Sequence, residues 1–304
     1  MKEIVITVPD ENEDSRIDSA LAGFFEEYSR SYIQKLIKDG LVLVSGRPVK
    51  ANYRVAAGDT VTVSVPDETV PDILPENIPL DILYEDDDIL IVNKPKQMVV
   101  HPAAGHYTGT LVNAVMYHCG DRLSGINGVL RPGIVHRIDM DTTGCLAVCK
   151  TDRAHRALAA DLAVHNIKRK YRAIVIGTFK EEDFTVSAPV GRSSSDRKKM
   201  AVDTKNGREA VTDVHVIQNL KGYSYIECTL HSGRTHQIRV HMKHIGHPVL
   251  GDTVYGPAKQ NVKGLTGQTL HAYLLGFNHP VTGEYVEFTA PLPEYFQDLL
   301  KKLA

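Results

Sequence analysis

A chain of 304 residues with 42% hydrophobic and 24% charged residues carries enough apolar surface for one large core and a small module, which excludes an intrinsically disordered protein. The start "MKEIVITVPDENEDS" has too short an apolar stretch for a secretory leader, and no window offers the roughly 18 uninterrupted apolar residues of a membrane span, so a cytoplasmic protein with no membrane partner is expected. The net charge of −2 hides an uneven distribution: residues 1–15 sum to −4 and residues 66–93 to −9, leaving +11 on the remainder, a body of the sign that holds a polyanion.

In chain order, residues 1–14 read as an acidic N-terminal segment and 15–65 as a small α/β domain. Within "SRSYIQKLIKDGLVLVSGRPVKANYRVAAGDTVTVSV" a serine caps a short helix whose Ile33, Leu36 and Ile37 form an apolar face, and Gly40 ends it. A strand at Leu41–Val44, a Ser-Gly-Arg turn, a short extended piece, a Gly58-Asp59 turn and an alternating strand at Thr60–Val65 follow. Arg30, Lys35, Lys38 and Arg47 supply a basic surface. "PDETVPDILPENIPL" holds four prolines in fifteen residues and predicts an extended acidic linker over 66–79.

Residues 80–304 alternate β-rich runs ("LDILYEDDDILIVNKP", "MVVHP", "GCLAVCK", "KYRAIVIGTF", "EAVTDVHVIQNL", "YSYIECTL", "EYVEFTAP") with fewer helical patterns ("TLVNAVMYHCG", "RAHRALAADLAVHN", "RTHQIRVHMKHIG"). That pattern predicts an α+β domain around a large mixed or antiparallel sheet with flanking helices. No Gly-rich phosphate-binding fingerprint follows a strand, so no nucleotide cofactor is expected. Cys119, Cys145, Cys149 and Cys228 form no CxxC pair and read as reduced, buried thiols. The histidines at 231, 236, 241, 244 and 247 fit no standard zinc spacing, and no metal is expected.

The stretch "GIVHRIDMDTTG" (133–144) is the richest in chemistry. A calcium loop starting at Asp139 needs an acid at its twelfth position, which is Lys150. An Asp-x-Asp-x-Thr phosphatase loop fits the letters, but its context is the end of an apolar parallel strand rather than "RPGIVHR" in a β-rich chain. From these twelve residues alone an acidic turn between two strands stays open.

The longer run "RPGIVHRIDMDTTGCLAVCKTDRAH" resembles the catalytic signature of the RluA/RluD-type pseudouridine synthases. Further blocks similar to that family stand in the same order: "YEDDDILIVNKP" with "MVVHP", "KRKYRAIVIG", "GRTHQIRVHMKHIGHPVLGD" and "LHAYLLGFNHP". Ile138, Thr143 and Gln97 depart mildly from its usual residues. The 15–65 pattern in turn resembles the S-four-like RNA-binding domain, which grips structured RNA through phosphate contacts.

The resemblance implies a cofactor-independent isomerase that turns uridine into pseudouridine in structured RNA, with large-subunit ribosomal RNA or a ribosome assembly intermediate as partner and a monomer as the acting form. It implies that Asp139 is the catalytic aspartate, that Tyr171 packs on the target base, and that Asp141 belongs to a turn. A carboxylate ionised in a pocket stripped of water needs a cation beside it, and Arg239 in "HQIR" is the candidate. Arg137 is expected to fill the place of the extruded base or hold a phosphate, and Arg234 and His236 to line the RNA groove. Gly133 and Gly144 are read as bends presenting the carboxylate at the mouth of a cleft. The competing class is a non-catalytic RNA-binding or ribosome assembly factor. The geometric expectation is that Asp139, Arg239 and Tyr171, far apart in sequence, meet.

Overall fold

The computed structural model describes residues 1–25, 27–66, 73–102, 106–128, 131–194, 196, 199–258, 262 and 264–304. The chain divides into two compact units, Met1–Val70 and Pro71–Ala304.

The first unit contains β1 (Lys2–Thr7), α1 (Ile17–Phe24), α2 (Arg30–Lys38), β2 (Val42–Val44), β3 (Arg47–Pro48) and β4 (Thr60–Val65). Its sheet is antiparallel in the order β1-β4-β2-β3. Alternation in "TVTVSV" buries Val61, Val63 and Val65 against Ile17, Leu21, Ile33 and Leu36 of the two helices. The Ser29 hydroxyl accepts the Tyr32 amide at 3.3 Å, and Gly40 at φ 74° reverses the chain, so α2 starts and stops where its caps stand. The acidic start is not a separate segment: Lys2–Thr7 pairs residue by residue with Thr60–Val65, because the "IVI" run needs the sheet edge to satisfy its backbone.

A buried carboxylate ties α1 to α2. Asp18 has no solvent exposure and accepts from Arg16 at 3.1 Å, from Arg30 at 3.1–3.2 Å and from Gln34 at 2.5 Å. Burial works to raise this carboxyl, but the hydrogen bonds from Arg16, Gln34 and Arg30 outweigh it and lower it from 3.8 to about 2.

The second unit contains β5 (Ile82–Glu85), β6 (Ile89–Lys94), α3 (Leu111–Cys119), β7 (Thr143–Cys149), α4 (Asp152–Ala163), β8 (Lys168–Ile176), β9 (Asp183–Ser187), β10 (Val190–Arg192), β11 (Met200–Val202), β12 (Val211–Asn219), β13 (Tyr223–Leu230), α5 (Gln237–His244), β14 (Leu270–Asn278), β15 (Tyr285–Thr289) and α6 (Glu294–Leu303). This is the expected α+β architecture. Its large sheet runs β5-β6-β7-β14-β8-β13-β12-β9, with β15 also on β14, and is antiparallel except where β7 meets β14. β7 is buried along its whole length because helices cover both faces: Leu146 and Val148 pack on Val112 and Val115 of α3, and Ala147 and Cys149 on Ala154 and Leu158 of α4.

Three sequence expectations need correction. "MVVHP" is not a strand; the Val99 and Val100 carbonyls accept the Leu111 and Val112 amides at the start of α3. The described part of the proline-rich linker is extended but docked: Ile73 is buried, Asn113 donates to the Leu74 carbonyl at 2.8 Å, and the Glu76 carboxylate accepts the Gly109 amide at 3.1 Å. Residues 67–72 of that linker lie outside the described residues. Helices α1 and α6 fall outside the helical patterns read from the sequence. No helix among the described residues is long and apolar enough to cross a membrane.

Two glycines bracket the loop that precedes β7. Gly133 (φ 70°) lies so close to β7 that a Cβ would stand 2.7 Å from the Cys149 carbonyl oxygen. Gly144 (φ 109°) lies against the Ala272 backbone of β14, where a Cβ would collide with the carbonyl. Gly133 lies in a turn, as expected, whereas Gly144 is not a bend but the second residue of β7, paired with Lys94 and Ala272, where its missing side chain lets two backbones approach closely.

Two stability outcomes follow. A carboxyl lowered on folding contributes stability that is complete above about pH 4 and lost as the pH falls through 2. Asp18→Asn should therefore cost about 2 kcal/mol at pH 7, the gap to wild type closing near pH 2, measured by urea unfolding of the full chain across pH. Gly144→Ala should cost more than about 2 kcal/mol in the same assay, through left-handed strain and the contact with Ala272.

Candidate active site

Residues 133–142 form a loop clamped from beneath. Lys94, at the end of β6, is 1% exposed and donates to the carbonyls of Pro95 (2.8 Å), Met98 (2.7 Å) and Met140 (2.9 Å). All three of its donors are used, and the last of them pins the residue after Asp139. Burial pushes this ammonium down to about 7, against the attraction of Asp141 and Asp139. The Thr142 amide donates to the Asp139 carbonyl at 3.0 Å, and Gln268 donates to the Thr142 hydroxyl at 3.2 Å, so the turn that carries Asp139 is held on two sides.

Helix α5 supplies the opposing wall. Gln237, its first residue, accepts from the Ser232 hydroxyl (2.8 Å) and the Arg234 amide (3.0 Å) and donates to the Val211 carbonyl (3.1 Å) and Thr212 hydroxyl (3.0 Å). The helix start is thereby fixed to β12. The predicted start at Thr235 and end at Gly246 lie within two residues of the observed Gln237–His244.

Arg239 lies inside that first turn and holds two carboxylates. Its Nε and Nη2 donate to Asp252 at 2.6 and 2.9 Å, and its Nη1 donates to Asp139 Oδ2 at 2.8 Å. The side chains of Arg239, Asp252 and Asp139 are 6%, 0% and 19% exposed. Burial works against the arginine's charge, but the two carboxylates raise its pKa above the usual guanidinium value. Burial likewise opposes the Asp252 carboxylate, and the Arg239 hydrogen bonds together with the Tyr255 and Val254 amides hold it below its usual range. The guanidinium also stands over the Tyr255 ring at 5.0 Å.

His236 precedes the helix in a left-handed conformation (φ 58°), an uncommon state for a residue with a side chain. The Tyr255 hydroxyl accepts from the Met200 amide at 2.9 Å and is hydrogen-bonded to His236 Nδ1 at 2.8 Å, which fixes the ring's orientation. Nε2 faces Asp139 Oδ1 at 3.7 Å. Burial lowers the His236 pKa, with Asp139 opposing, which keeps the ring neutral at neutral pH.

The cavity between loop and helix is lined by Asp139, Arg239, Tyr171, Arg137, Arg234 and His236 together. The three residues expected to meet do so, and Arg137, Arg234 and His236 line the same cavity. Tyr171 comes from β8, opposite Cys228 of β13 and Ala272 of β14. Burial pushes its phenol up to about 12, with Arg169 opposing and Asp139 adding, so it stays uncharged at neutral pH. Arg137 is exposed, its Nη1 3.3 Å from His101 Nε2; burial and the charges of Arg137 and Arg131 bring that histidine down to about 4, so the neutral ring accepts. Arg234 Nε donates to the Glu209 carbonyl at 3.0 Å.

Asp141 is half-buried beside Gly267, whose missing side chain leaves room for its carboxylate, and it is not among the cavity-lining residues. In the first unit Lys35, Lys38 and Arg47 are exposed, whereas Arg30 is engaged with Asp18. Among the described residues no three His, Cys, Asp or Glu side chains come together as a metal-binding group. The sequence reading did not single out Asp252, Tyr255, Lys94 or His101. Asp252 closes the quoted block "GRTHQIRVHMKHIGHPVLGD", and nothing in its Gly-Asp setting distinguishes it from a turn.

Comparison with known proteins agrees across the chain. The RNA pseudouridylate synthase family matches residues 88–244, and the S4 domain matches residues 16–61. The chain is 53% identical over 303 residues to an uncharacterized RNA pseudouridine synthase, YlyB, of Bacillus subtilis, covering 100% of this chain and 99% of the relative. It is 48% identical over 307 residues to the ribosomal large subunit pseudouridine synthase D of Zymomonas mobilis, covering 98% and 96%. The solved structure of human RNA pseudouridylate synthase domain containing 1 superposes with a TM-score of 0.58 at 25% identity, covering 74% of this chain and 94% of that one. The chain therefore belongs to the RNA pseudouridine synthases, isomerases of uridine in RNA, and carries an S4 RNA-binding domain ahead of the synthase domain.

Proposed function

We propose that this chain, acting as a monomer in the cytoplasm, isomerises uridine in structured large-subunit ribosomal RNA, with Asp139 as the catalytic carboxylate. One observation carries the assignment: Asp139 is the carboxylate lining the cavity, and it is oriented through one oxygen by an arginine that a second, buried carboxylate locks in place. The name of the Zymomonas relative supports the ribosomal target.

The reaction breaks the bond from uracil N1 to ribose C1′, turns the uracil, and joins C5 to C1′. The proton lost from C5 is balanced by the one gained at N1, so no redox partner or energy source enters. Asp139 acts at the ribose, by attack on C1′ or by taking the C2′ proton; both routes need it ionised. Arg239 is the cation beside it in a partly dry cleft. Oδ2 is engaged by Arg239, and Oδ1, 3.7 Å from His236 Nε2 and so beyond hydrogen-bond reach, is the oxygen assigned to the ribose. The target base has to leave its stack, at a cost of a few kcal/mol. The neutral Tyr171 ring receives it, Arg137 fills its place in the RNA or holds a phosphate, and Arg234 with His236 lines the groove. Lys35, Lys38 and Arg47 of the first unit add phosphate contacts.

Asp139→Asn should reduce pseudouridine formation at least about a thousandfold while leaving RNA affinity within a few-fold, measured by single-turnover assays and filter binding. An unchanged rate would remove Asp139 from the chemistry. Asp252→Asn leaves Arg239 with one carboxylate and should cost about 3–5 kcal/mol of stability, together with a drop in kcat larger than the change in KM. Pseudouridine mapping in total RNA from cells with and without the protein should show the loss confined to large-subunit ribosomal RNA. Loss in transfer RNA alone would refute that target.

A further inference from the structure

Strand β8 begins with five residues, "KRKYR", four of them cationic. Alternation sends them to two faces. On one face each cation has an acid: Lys168 meets Glu287 at 2.9 Å, and Lys170 and Arg172 meet Glu227 at 2.8 and 2.7 Å. On the other face Arg169 lies next to Tyr171 in the pleat and has no such partner. It is 8% exposed, and among the described residues its Nε and Nη2 have no hydrogen-bond partner. A buried guanidinium without an anion is costly, since desolvation is not offset. Burial accordingly lowers its pKa, and Arg234 adds to that.

Arg169 lines a pocket of about 450 Å³ together with Arg137, Arg234, His165 and His136, and among the described residues that pocket has no acidic wall. It shares Arg137, Tyr171, Leu230 and Arg234 with the Asp139 cavity, so the two are adjoining compartments. Gly233 makes room for the guanidinium: a Cβ there would stand 2.5 Å from Arg169 Nη1. His136 accepts the Ala147 amide through Nε2 at 3.0 Å, and burial with the nearby Arg169 charge holds it down to about 4, so it is a neutral neighbour. Three arginines line a pocket that has no carboxylate in its lining among the described residues, one of them buried with its Nε and Nη2 donors unused.

We propose that Arg169, with Arg137 and Arg234 at the rim, is a phosphodiester-binding pocket that receives a backbone phosphate flanking the extruded uridine. The proposal rests on the functional reading above for its substrate and names the subsite that holds the RNA chain while the base occupies the Asp139 cavity. A planar guanidinium with free donors matches two phosphate oxygens, and the anion restores what burial removes.

The test uses the full chain and a synthetic RNA stem-loop spanning a uridine located by the mapping experiment. Arg169→Met should weaken binding roughly tenfold and lower the slope of log Kd against log salt by about one, while Arg169→Lys restores the slope. Replacing each phosphate near the target in turn by an uncharged methylphosphonate should identify one position that weakens wild type about tenfold and has no further effect on Arg169→Met. Because Arg169→Met removes an uncompensated buried charge, its Tm should equal or exceed that of wild type. Additive effects of variant and methylphosphonate, an unchanged salt slope, or a lowered Tm with unchanged affinity would each overturn the pocket. A wild-type protein that forms no pseudouridine would overturn the functional reading instead, since the coupling is measured by binding.

Discussion

A single guanidinium shared between two carboxylates organises the synthase domain. Arg239 gives two donors to Asp252, which is fully buried, and one to Asp139, which is not. The asymmetry matters, because the buried carboxylate sets the arginine's plane and position and the remaining donor can then fix the orientation of a carboxylate at the cavity. One guanidinium facing two carboxylates gives the buried one two hydrogen bonds and the more exposed one a single hydrogen bond, through Oδ2. The parts around it serve that geometry: Gln237 anchors the helix start, Tyr255 sits beneath the guanidinium and orients His236, and Lys94 fixes the loop from the other side.

The fold makes those three supports converge. The sheet places the end of β6, the start of β7 and the middle of β8 side by side across β14, and α5 lies over the β8–β13 part of the sheet, where Ile238 and Met242 pack on Ala173, Val175 and Ile226. The residues that face the cavity come from four separated stretches, carried by strands and one helix except for the loop of 133–142 and the connection before α5 that bears Arg234 and His236. That loop is tied by Lys94, through the Met140 carbonyl, to the segment that follows β6.

How much of this was legible in the sequence depends on the range of the interaction. Period-two alternation in "VTDVHVIQN" and "YSYIECTL" reports a half-buried strand directly, and the observed burial follows it. Caps at Ser29 and Gly40 mark α2 within its own residues. "MVVHP" failed because β-branched residues look like strand wherever they occur, and only the arrival of α3 shows that its carbonyls serve a helix start. The partners of ionised groups were least visible. Arg30 reads as a surface cation until Asp18, buried twelve residues upstream, is seen beneath it, and Asp252 reads as a turn acid until the fold brings it to Arg239. The meeting of Asp139, Arg239 and Tyr171 was expected from the resemblance of several ordered blocks, not from local physics.

The parallel contact between β7 and β14 joins Thr143 to His271 across 128 residues of chain, through a hydrogen bond of 2.8 Å and the close approach of Gly144 to Ala272. Such a contact is non-local in the extreme, and closing so long a stretch of chain carries an entropic cost that slows folding. During synthesis the loop bearing Asp139 emerges well before the strand that seats its far end. A nascent or truncated chain ending before β14 therefore holds Asp139, Arg239 and Tyr171 without the strand that joins β7 to β8.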